Sequence, residues 1–158
     1  YQHESFSPSR PVLPTASSDG EYYSAKFLAG AIKDIELGFK TTFKPTESIT
    51  AEGTINIARE HVGKVGITHV VIDAGPLGAF QLNADGQFVS LDLASLNLIG
   101  SIEPRPLKGI ENLRVFDELI MEPLGVMSAD LKIYFAYSVL ESELLIYSGT
   151  PLSIKIAE

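Results

Sequence analysis

Residues 132–156, KIYFAYSVLESELLIYSGTPLSIKI, decide how the rest of the chain is interpreted. Side chains of an extended chain alternate between two faces, and one face of the first part is apolar: Ile133, Phe135, Tyr137 and Val139. After the polar residues 141–143, the apolar run 144–147 predicts a second strand that follows a tight turn. The chain then breaks at Gly149 and Pro151, and alternation resumes at 153–156. This stretch predicts a three-stranded β-meander at the end of the chain.

Similar alternation recurs upstream. The segments that show it, or that are rich in β-branched residues, are 23–31, 35–43, 49–57, 67–72 and 112–120. A hairpin is predicted over residues 78–91, because Asp85-Gly86 supplies the positive φ that a tight turn requires. Gly30 is expected to mark a bulge or a bend. No stretch has the pattern of a crossover helix, so a parallel α/β fold is disfavoured.

These strands, about 8–9 in number and spaced by ~8–12 residues, predict an all-β fold. We expect an Ig-like antiparallel two-sheet β-sandwich with an extended N-terminal arm, and a β-barrel is the alternative. The predicted core consists of the large apolar residues at inward positions: Phe27, Leu37, Phe39, Ile55, Ile57, Val70, Ile72, Phe80, Phe88, Phe135 and Ile154.

The N-terminal residues 1–20 form the arm, and residues 21–158 form the β-sandwich domain. Pro8, Pro11 and Pro14 oppose regular structure in the arm, since each lacks an N–H donor. It is either a disordered linker or a segment that is ordered against another subunit. We expect residues 4–16 to be extended and to contact another subunit instead of folding back. The predicted inter-subunit contacts are Phe6, Val12 and Leu13.

Composition narrows the possible partners. The 158 residues include 12 Lys and Arg against 20 Asp and Glu, a formal charge of −8. Such a chain is not attracted to nucleic acid or to an anionic membrane. Its apolar runs are shorter than the ~20 residues that span a bilayer. Cysteine is absent, which excludes disulfides and thiolate metal sites. The start at Tyr1 instead of Met indicates either a processed N-terminus or a trimmed chain, and removal of a signal peptide is the preferred interpretation.

Few residues indicate chemistry. A metal shared by His61 and His69 would need a carboxylate such as Glu60, and surface or loop-orienting histidines are the preferred interpretation. Asn83, Asp85 and Gly86 are explained by a turn. Glu141 and Glu143 are expected to be solvated turn carboxylates and not a glycosidase pair. The chain has no nucleophile elbow, phosphate-binding loop or dinucleotide fingerprint. We therefore expect a protein that is not an enzyme and that uses no cofactor or metal.

Tyrosines suggest a different activity. Aromatic faces stack on sugars, and the positions concerned are Tyr22, Tyr23, Tyr134, Tyr137 and Tyr147. Their alternation with apolar residues favours core or sheet packing first. A sugar-binding platform would require two or three coplanar rings exposed on one sheet face.

The order of these motifs resembles a module of large bacterial secreted and cell-surface proteins, a module of no agreed function. The resemblance covers about residues 23–157 and rests on the segment from 55–57 through Glu60-His61-Val62-Gly63-Lys64 to 70–72. The later segments follow in the same order as in the module: the hairpin at 80–88, the IYFAY strand at 133–137 and the C-terminal segment at 147–152. Two positions depart from the module, which usually has Asp at His69 and a Gly-rich turn at 140–143. The resemblance implies an extracellular β-domain of structural or adhesive kind, with no catalytic residues.

Together these observations predict a structural subunit of an extracellular bacterial fibre or surface matrix. A single module must obtain valency from self-assembly, here through the arm and exposed strand edges. The expected partner is the chain itself, as a homopolymer. The alternative is a glycan-binding or adhesin module of a larger cell-surface protein, with glycans or other surface proteins as partners.

Overall fold

The structure is a computed structural model that describes residues 12–32, 38–95 and 97–158. Within these ranges it contains strands and three 3₁₀ helices, Arg59–His61, Gly75–Leu77 and Glu122–Leu124, but no α-helix. The first seven strand segments are β1 Val12–Leu13, β2 Thr15–Ser17, β3 Lys26–Ile32, β4 Phe39–Lys40, β5 Thr42–Phe43, β6 Ser48–Asn56 and β7 Val65–Asp73. The others are β8 Ala79–Leu82, β9 Phe88–Ser90, β10 Arg105–Pro106, β11 Ile110–Ile120, β12 Ala129–Val139, β13 Leu144–Ser148 and β14 Leu152–Ile156.

The strands form two sheets, which confirms the predicted all-β class. Sheet A has the order β1-β3-β6-β11, and β4 pairs with β3 beyond β1. Sheet B has the order β2-β13-β12-β7-β8-β9. In addition, β10 pairs with β7, β14 pairs with β12, and β5 pairs with β14. All pairs are antiparallel except the short parallel contact of β14 with β5, where Lys155 is opposite Thr42 and Ile156 is opposite Phe43. The described segments exceed the 8–9 predicted strands because several of them have only two or three residues.

Strand β12 is the centre of sheet B. Residues 132–139 pair with β7 along one side. Along the other side the first half of β12 pairs with β14 and the second half pairs with β13. The predicted C-terminal meander is therefore wrong in one respect, since β14 continues the line of β13 and does not pair with it.

The break between β13 and β14 has a local cause. From Ala136 to Ile133, three steps of β12 are opposite the five steps from Tyr147 to Leu152. Two additional residues are accommodated there, and Pro151 has no N–H to give to the ladder. The hydroxyl of Ser148 instead accepts a hydrogen bond from the Phe135 N–H at 3.1 Å. The chain thus ends in one long hairpin with an interruption.

The core lies between the sheets, an arrangement of the β-sandwich type. Alternation along β6 places Ile49, Ala51 and Ile55 inward, with no exposed surface. Gly53 lies on the same face, where a methyl group on its Cα would be 2.4 Å from the Phe135 ring of sheet B. This glycine is needed because the aromatic ring of the opposite sheet occupies the space of a side chain.

Most predicted core residues are confirmed. Seven are buried: Phe27, Ile55, Ile57, Val70, Ile72, Phe135 and Ile154. Phe39 and Phe80 are only half-buried. The prediction for Phe88 is wrong, since 39 % of its surface is exposed. It lies on the three-residue edge strand β9, with its ring centre 5.8 Å from that of Phe116. Leu37 lies outside the described residues.

The predicted strand over 35–43 is also different. Residues 33–37 are outside the described ranges, and the remainder leaves sheet A at β4 and enters sheet B at β5. Lys40 is buried, with its Nζ 3.2 Å from Glu47 and 4.8 Å from the centre of the Phe43 ring. Gly30 is not a bulge, since it pairs in regular register with Glu52. It is a glycine because a methyl group there would lie 2.6 Å from the Phe39 ring.

The arm belongs partly to the domain. Val12 and Leu13 pair with Leu28 and Phe27 of sheet A, and residues 15–17 pair with β13 of sheet B. For residues 12–16, the expectation that the arm does not fold back is therefore wrong, while strands β1 and β2 have the expected extended conformation. The prediction for residues 4–11 lies outside the described residues. An antiparallel strand edge offers these residues backbone partners within their own chain.

Candidate functional site

A cleft of about 690 Å³ lies on the outer face of sheet B, where β7 ends and β12 begins. Four charged side chains line it: Asp73 on β7, Asp130 and Lys132 on β12, and Lys155 on β14. They face outward because their neighbours Ile72, Leu131, Ile133 and Ile154 are buried in the core. Residues 74–77, which include the 3₁₀ helix, contribute a wall of the cleft.

Further along the outer face, His69 is buried beneath residues 97–101. Its Nδ1–H donates to the carbonyl oxygen of Ile99 at 2.8 Å, which leaves Nε2 as an acceptor. The hydroxyl of Ser138 lies 2.6 Å from Nε2 and is the donor to it. Burial lowers the pKa of His69, and this keeps the ring neutral near pH 7.

Ser138, His69 and the carbonyl group of Ile99 follow the order of nucleophile, base and orienting group that acyl transfer uses. Acyl transfer also needs donors for an oxyanion. The backbone of β12 around Ser138 pairs with β7 on one side and β13 on the other, so its peptide groups are engaged in the sheet. We interpret the pair as a clamp that holds residues 97–101 on the sheet. Gln81 contributes to the same clamp. Its side-chain amide donates a hydrogen bond to the carbonyl oxygen of Asn97 at 3.0 Å and accepts one from the N–H of Ile99 at 2.9 Å.

A second histidine cluster lies on the inner face. Tyr137 is completely buried, and its hydroxyl is 2.8 Å from Nδ1 of His61. The same oxygen accepts the N–H of Ala58 at 3.4 Å, so its proton goes to His61. Burial lowers the pKa of His61 and raises the pKa of Tyr137 to about 12. The cluster joins the 3₁₀ helix Arg59–His61 to the centre of sheet B.

The cluster extends towards the surface through Tyr23. Its ring centre is 5.1 Å from that of His61, and its hydroxyl donates to the carboxylate of Asp19 at 2.5 Å. This hydrogen bond raises the pKa of Tyr23 to about 12 and lowers the pKa of Asp19. The contacts fix the segment that follows β2 against the domain.

The two histidines cannot share a metal ion. They bind consecutive residues, Tyr137 and Ser138, whose side chains lie on opposite faces of β12. Among the residues that the structure describes, no group of three metal-binding side chains is found. The expectation of surface histidines is wrong because His61 and His69 are both buried. Both do orient a loop, the other role that the sequence allowed.

Other predicted positions are explained by turns. The side chain of Asn83 accepts the N–H of Asp85 at 3.0 Å and of Gln87 at 2.9 Å, and Gly86 has a φ of 81°. The hairpin of β8 and β9 is thereby confirmed. Glu141 and Glu143 are exposed in the turn between β12 and β13, as expected.

Of the five tyrosines considered for a sugar-binding platform, two lie on a common sheet face. Tyr137 is in the core, while Tyr22 is 90 % exposed in an irregular segment. Tyr134 and Tyr147 lie on the outer face of sheet B and are half-buried. Only these two remain available on a common sheet face.

The predicted inter-subunit residues have different surroundings. Leu13 is buried in the core of its own domain, whereas Val12 is 66 % exposed. Phe6 lies outside the described residues. A contact of Val12 or Phe6 with another subunit stays a prediction.

Sheet A has an open edge at β11. This strand of eleven residues pairs with β6, and no strand within the described ranges pairs with its other side. Residues 110–114 pair with β6 in regular register, and two register shifts lie between Arg114 and Leu119. The end residues Ile110 and Ile120 are 57 % and 40 % exposed.

An ion pair fixes the beginning of β11. Arg105 of β10 donates two hydrogen bonds to the carboxylate of Glu111, at 2.6 and 2.8 Å. Burial opposes ionisation of Glu111, but the Arg105 bonds and the N–H of Lys108 outweigh it and lower the pKa of Glu111. The first residues of the open edge are thus held in place by sheet B.

Comparison of the chain with protein-family models, curated proteins and solved structures found no match. Within the described ranges, no helix has the length and apolar character that crossing a membrane requires.

Sequence reasoning expected exposed strand edges but did not show that β11 provides one, and it missed the cleft and the Ser138 contact. The signal for the cleft was present, because Asp130 and Lys132 occupy the polar positions of a strand whose other face is apolar. Nothing local indicated that Asp73 and Lys155 would join them, since strand order decides this.

Proposed function

We propose that the chain is a structural subunit of an extracellular bacterial fibre or surface matrix and has no catalytic activity. The observation that carries the proposal is the open edge of β11. An edge strand offers a row of backbone donors and acceptors to an extended segment of another chain. The proposed location outside a bacterial cell follows from the resemblance of the motif order.

The geometry of sheet A supports head-to-tail assembly. Val12, the first described residue, lies on β1 at one edge of the sheet, and β11 lies at the other edge. A segment that precedes Val12 in one subunit and pairs with β11 of the next would continue sheet A between subunits. Such a heterologous contact need not close, so it generates a fibre.

The surroundings of β1 favour another subunit as the partner of residues 1–11. Val12 is opposite Leu28, while β4 already pairs with Ala31 and Ile32 of the same edge. The chain before Val12 therefore has little of its own β3 left to pair with. Pro8 and Pro11 each remove a ladder hydrogen bond, so we expect a short pairing anchored by Phe6.

We further propose that the sandwich is Ig-like. The chain changes sheets seven times, and the changes that involve the long strands include those between β6 and β7, between β10 and β11, and between β11 and β12. Such crossings between two mostly antiparallel sheets are typical of this architecture. An experimental structure tests this point directly.

Deletion of residues 1–11 tests the assembly. We expect the intact chain to form polymers in light scattering and negative-stain images. The deletion variant, which keeps β1, should be monomeric with unchanged circular dichroism. A folded deletion variant that polymerises like the intact chain, or an intact chain that stays monomeric, contradicts the proposal.

A matched pair of lysine substitutions tests the acceptor edge. Ile110→Lys adds a charge to β11 and should reduce polymerisation by tenfold or more. Val62→Lys changes a residue of similar exposure, 46 %, that lies outside both sheets, and should have no effect. Equal effects of the two substitutions would remove β11 as the acceptor.

A further inference from the structure

The cleft on the outer face of sheet B is distinct from the open edge of sheet A. Its charges balance, because Asp73 and Asp130 are matched by Lys132 and Lys155. Two carboxylates disfavour an anion such as phosphate, and two ammonium groups disfavour a metal ion. A ligand for this cleft must offer donors and acceptors together without a net charge.

The four charges are arranged as two cross-strand pairs. Asp73 is directly opposite Lys132, and Asp130 is directly opposite Lys155. Opposite charges at such positions commonly interact and stabilise a sheet. In the part of the chain that the structure describes, neither pair forms an ion pair within 4.0 Å. One oxygen of Asp73, Oδ1, accepts the N–H of Gly75 at 3.0 Å. Its other oxygen and the charged atoms of Asp130, Lys132 and Lys155 are available to a ligand.

The shape of the cleft supplies an apolar contact as well. The wall at residues 75–77 includes Pro76 and Leu77, and Leu77 is 49 % exposed. Ser153 and Thr42 add hydroxyl groups to the lining. Tyr134 lies on the same outer face, two residues along β12 from Lys132, and is half-buried. Polar groups of both kinds beside apolar surface match the hydroxyl groups and the C–H face of a sugar ring.

We propose that this cleft binds an oligosaccharide. The carboxylates of Asp73 and Asp130 accept hydrogen bonds from sugar hydroxyls, and Lys132 and Lys155 donate to sugar oxygens. Leu77 packs against the apolar face of one ring. The site is open to solvent, so it accommodates an internal segment of a longer chain.

Saturation-transfer difference NMR on the intact chain tests the site, because it works for monomers and for polymers. Two of the probes, cellotetraose and N-acetylated chitotetraose, are neutral. The third, tetragalacturonate, is acidic. We expect saturation transfer to at least one neutral probe, cellotetraose or chitotetraose. The double variant Asp73→Ala/Asp130→Ala should lower the amplification factor at least fivefold, and Lys155→Ala should lower it as well.

The control is Asp85→Ala/Asp92→Ala, which removes two exposed carboxylates from turns outside the cleft and should leave the transfer unchanged. Absence of transfer to both neutral probes overturns the proposal. Transfer that survives the cleft double variant also overturns it and leaves the charges with a role in sheet stability only. Neither result affects the assembly at β11, which is measured separately.

Discussion

The two faces of β12 are buried in different ways. On the inner face, Ile133, Phe135 and Tyr137 are covered by the apolar face of sheet A and have at most 1 % exposed surface. On the outer face, Ser138 and its neighbour His69 are covered by residues 97–101, which hydrogen bonds hold in place. The same strand thus has a face stabilised mainly by packing and a face stabilised by specific polar contacts. Changes of volume should be costly inside, and changes of hydrogen bonding or charge should be felt outside.

The largest expected effect is on the inner face. Phe135→Ala should lower the free energy of unfolding by about 3–5 kcal/mol, since it removes a buried ring and leaves a cavity. Phe88→Ala is the matched control, because this ring is 39 % exposed, and it should cost about 1 kcal/mol. Urea denaturation measures both. Equal losses would mean that Phe135 is not part of a closely packed face.

Gly53→Ala tests how closely the two sheets approach each other. The added methyl group would lie 2.4 Å from the Phe135 ring, so the ring or the sheets must move. We expect a loss of about 1–3 kcal/mol in the free energy of unfolding, which is typical of overpacking.

Gly109→Ala is the control for this prediction, since no atom lies within 4 Å of its added methyl group. That variant should be neutral or slightly more stable. If Gly53→Ala is equally harmless, the sheets are further apart than the structure has them.

The smallest expected effect concerns acid and the outer face. Burial lowers the pKa of His69, while an unfolded histidine takes up a proton near pH 6.5. The unfolded state then binds more protons, so the contribution of His69 is complete above about pH 6.5 and is lost as pH falls towards the lowered pKa. The urea concentration at which half of the wild-type protein is unfolded should decrease as the pH is lowered from 7 to 5.

The His69→Gln variant sharpens this prediction because its midpoint should depend less on pH in the same range. His61→Gln gives the corresponding test for the inner face, where burial also lowers the histidine pKa. If the dependence of the urea midpoint on pH is the same in His69→Gln as in the wild type, residues 97–101 do not shield His69 from water as they do in the structure.

The sequence by itself determined the all-β class and most of the strands. Strict alternation places Ile49, Ala51 and Ile55 on one face of β6, and this pattern is local. Asp85-Gly86 likewise determined the hairpin of β8 and β9, because a tight turn with positive φ depends on the residues within it. Both predictions needed no knowledge of neighbouring strands.

Only the tertiary structure decided which strands are neighbours and therefore what the site is. Alternation did not show that β14 pairs with β12, that Lys40 is buried, or that β11 is an edge. Burial of a polar residue depends on partners that are distant in sequence, such as Ser138 for His69, which is 69 positions away. The cleft combines residues from β7, β12 and β14, and strand order alone brings their charges together. Periodicity determines which face a residue occupies, whereas sheet topology determines what that face meets.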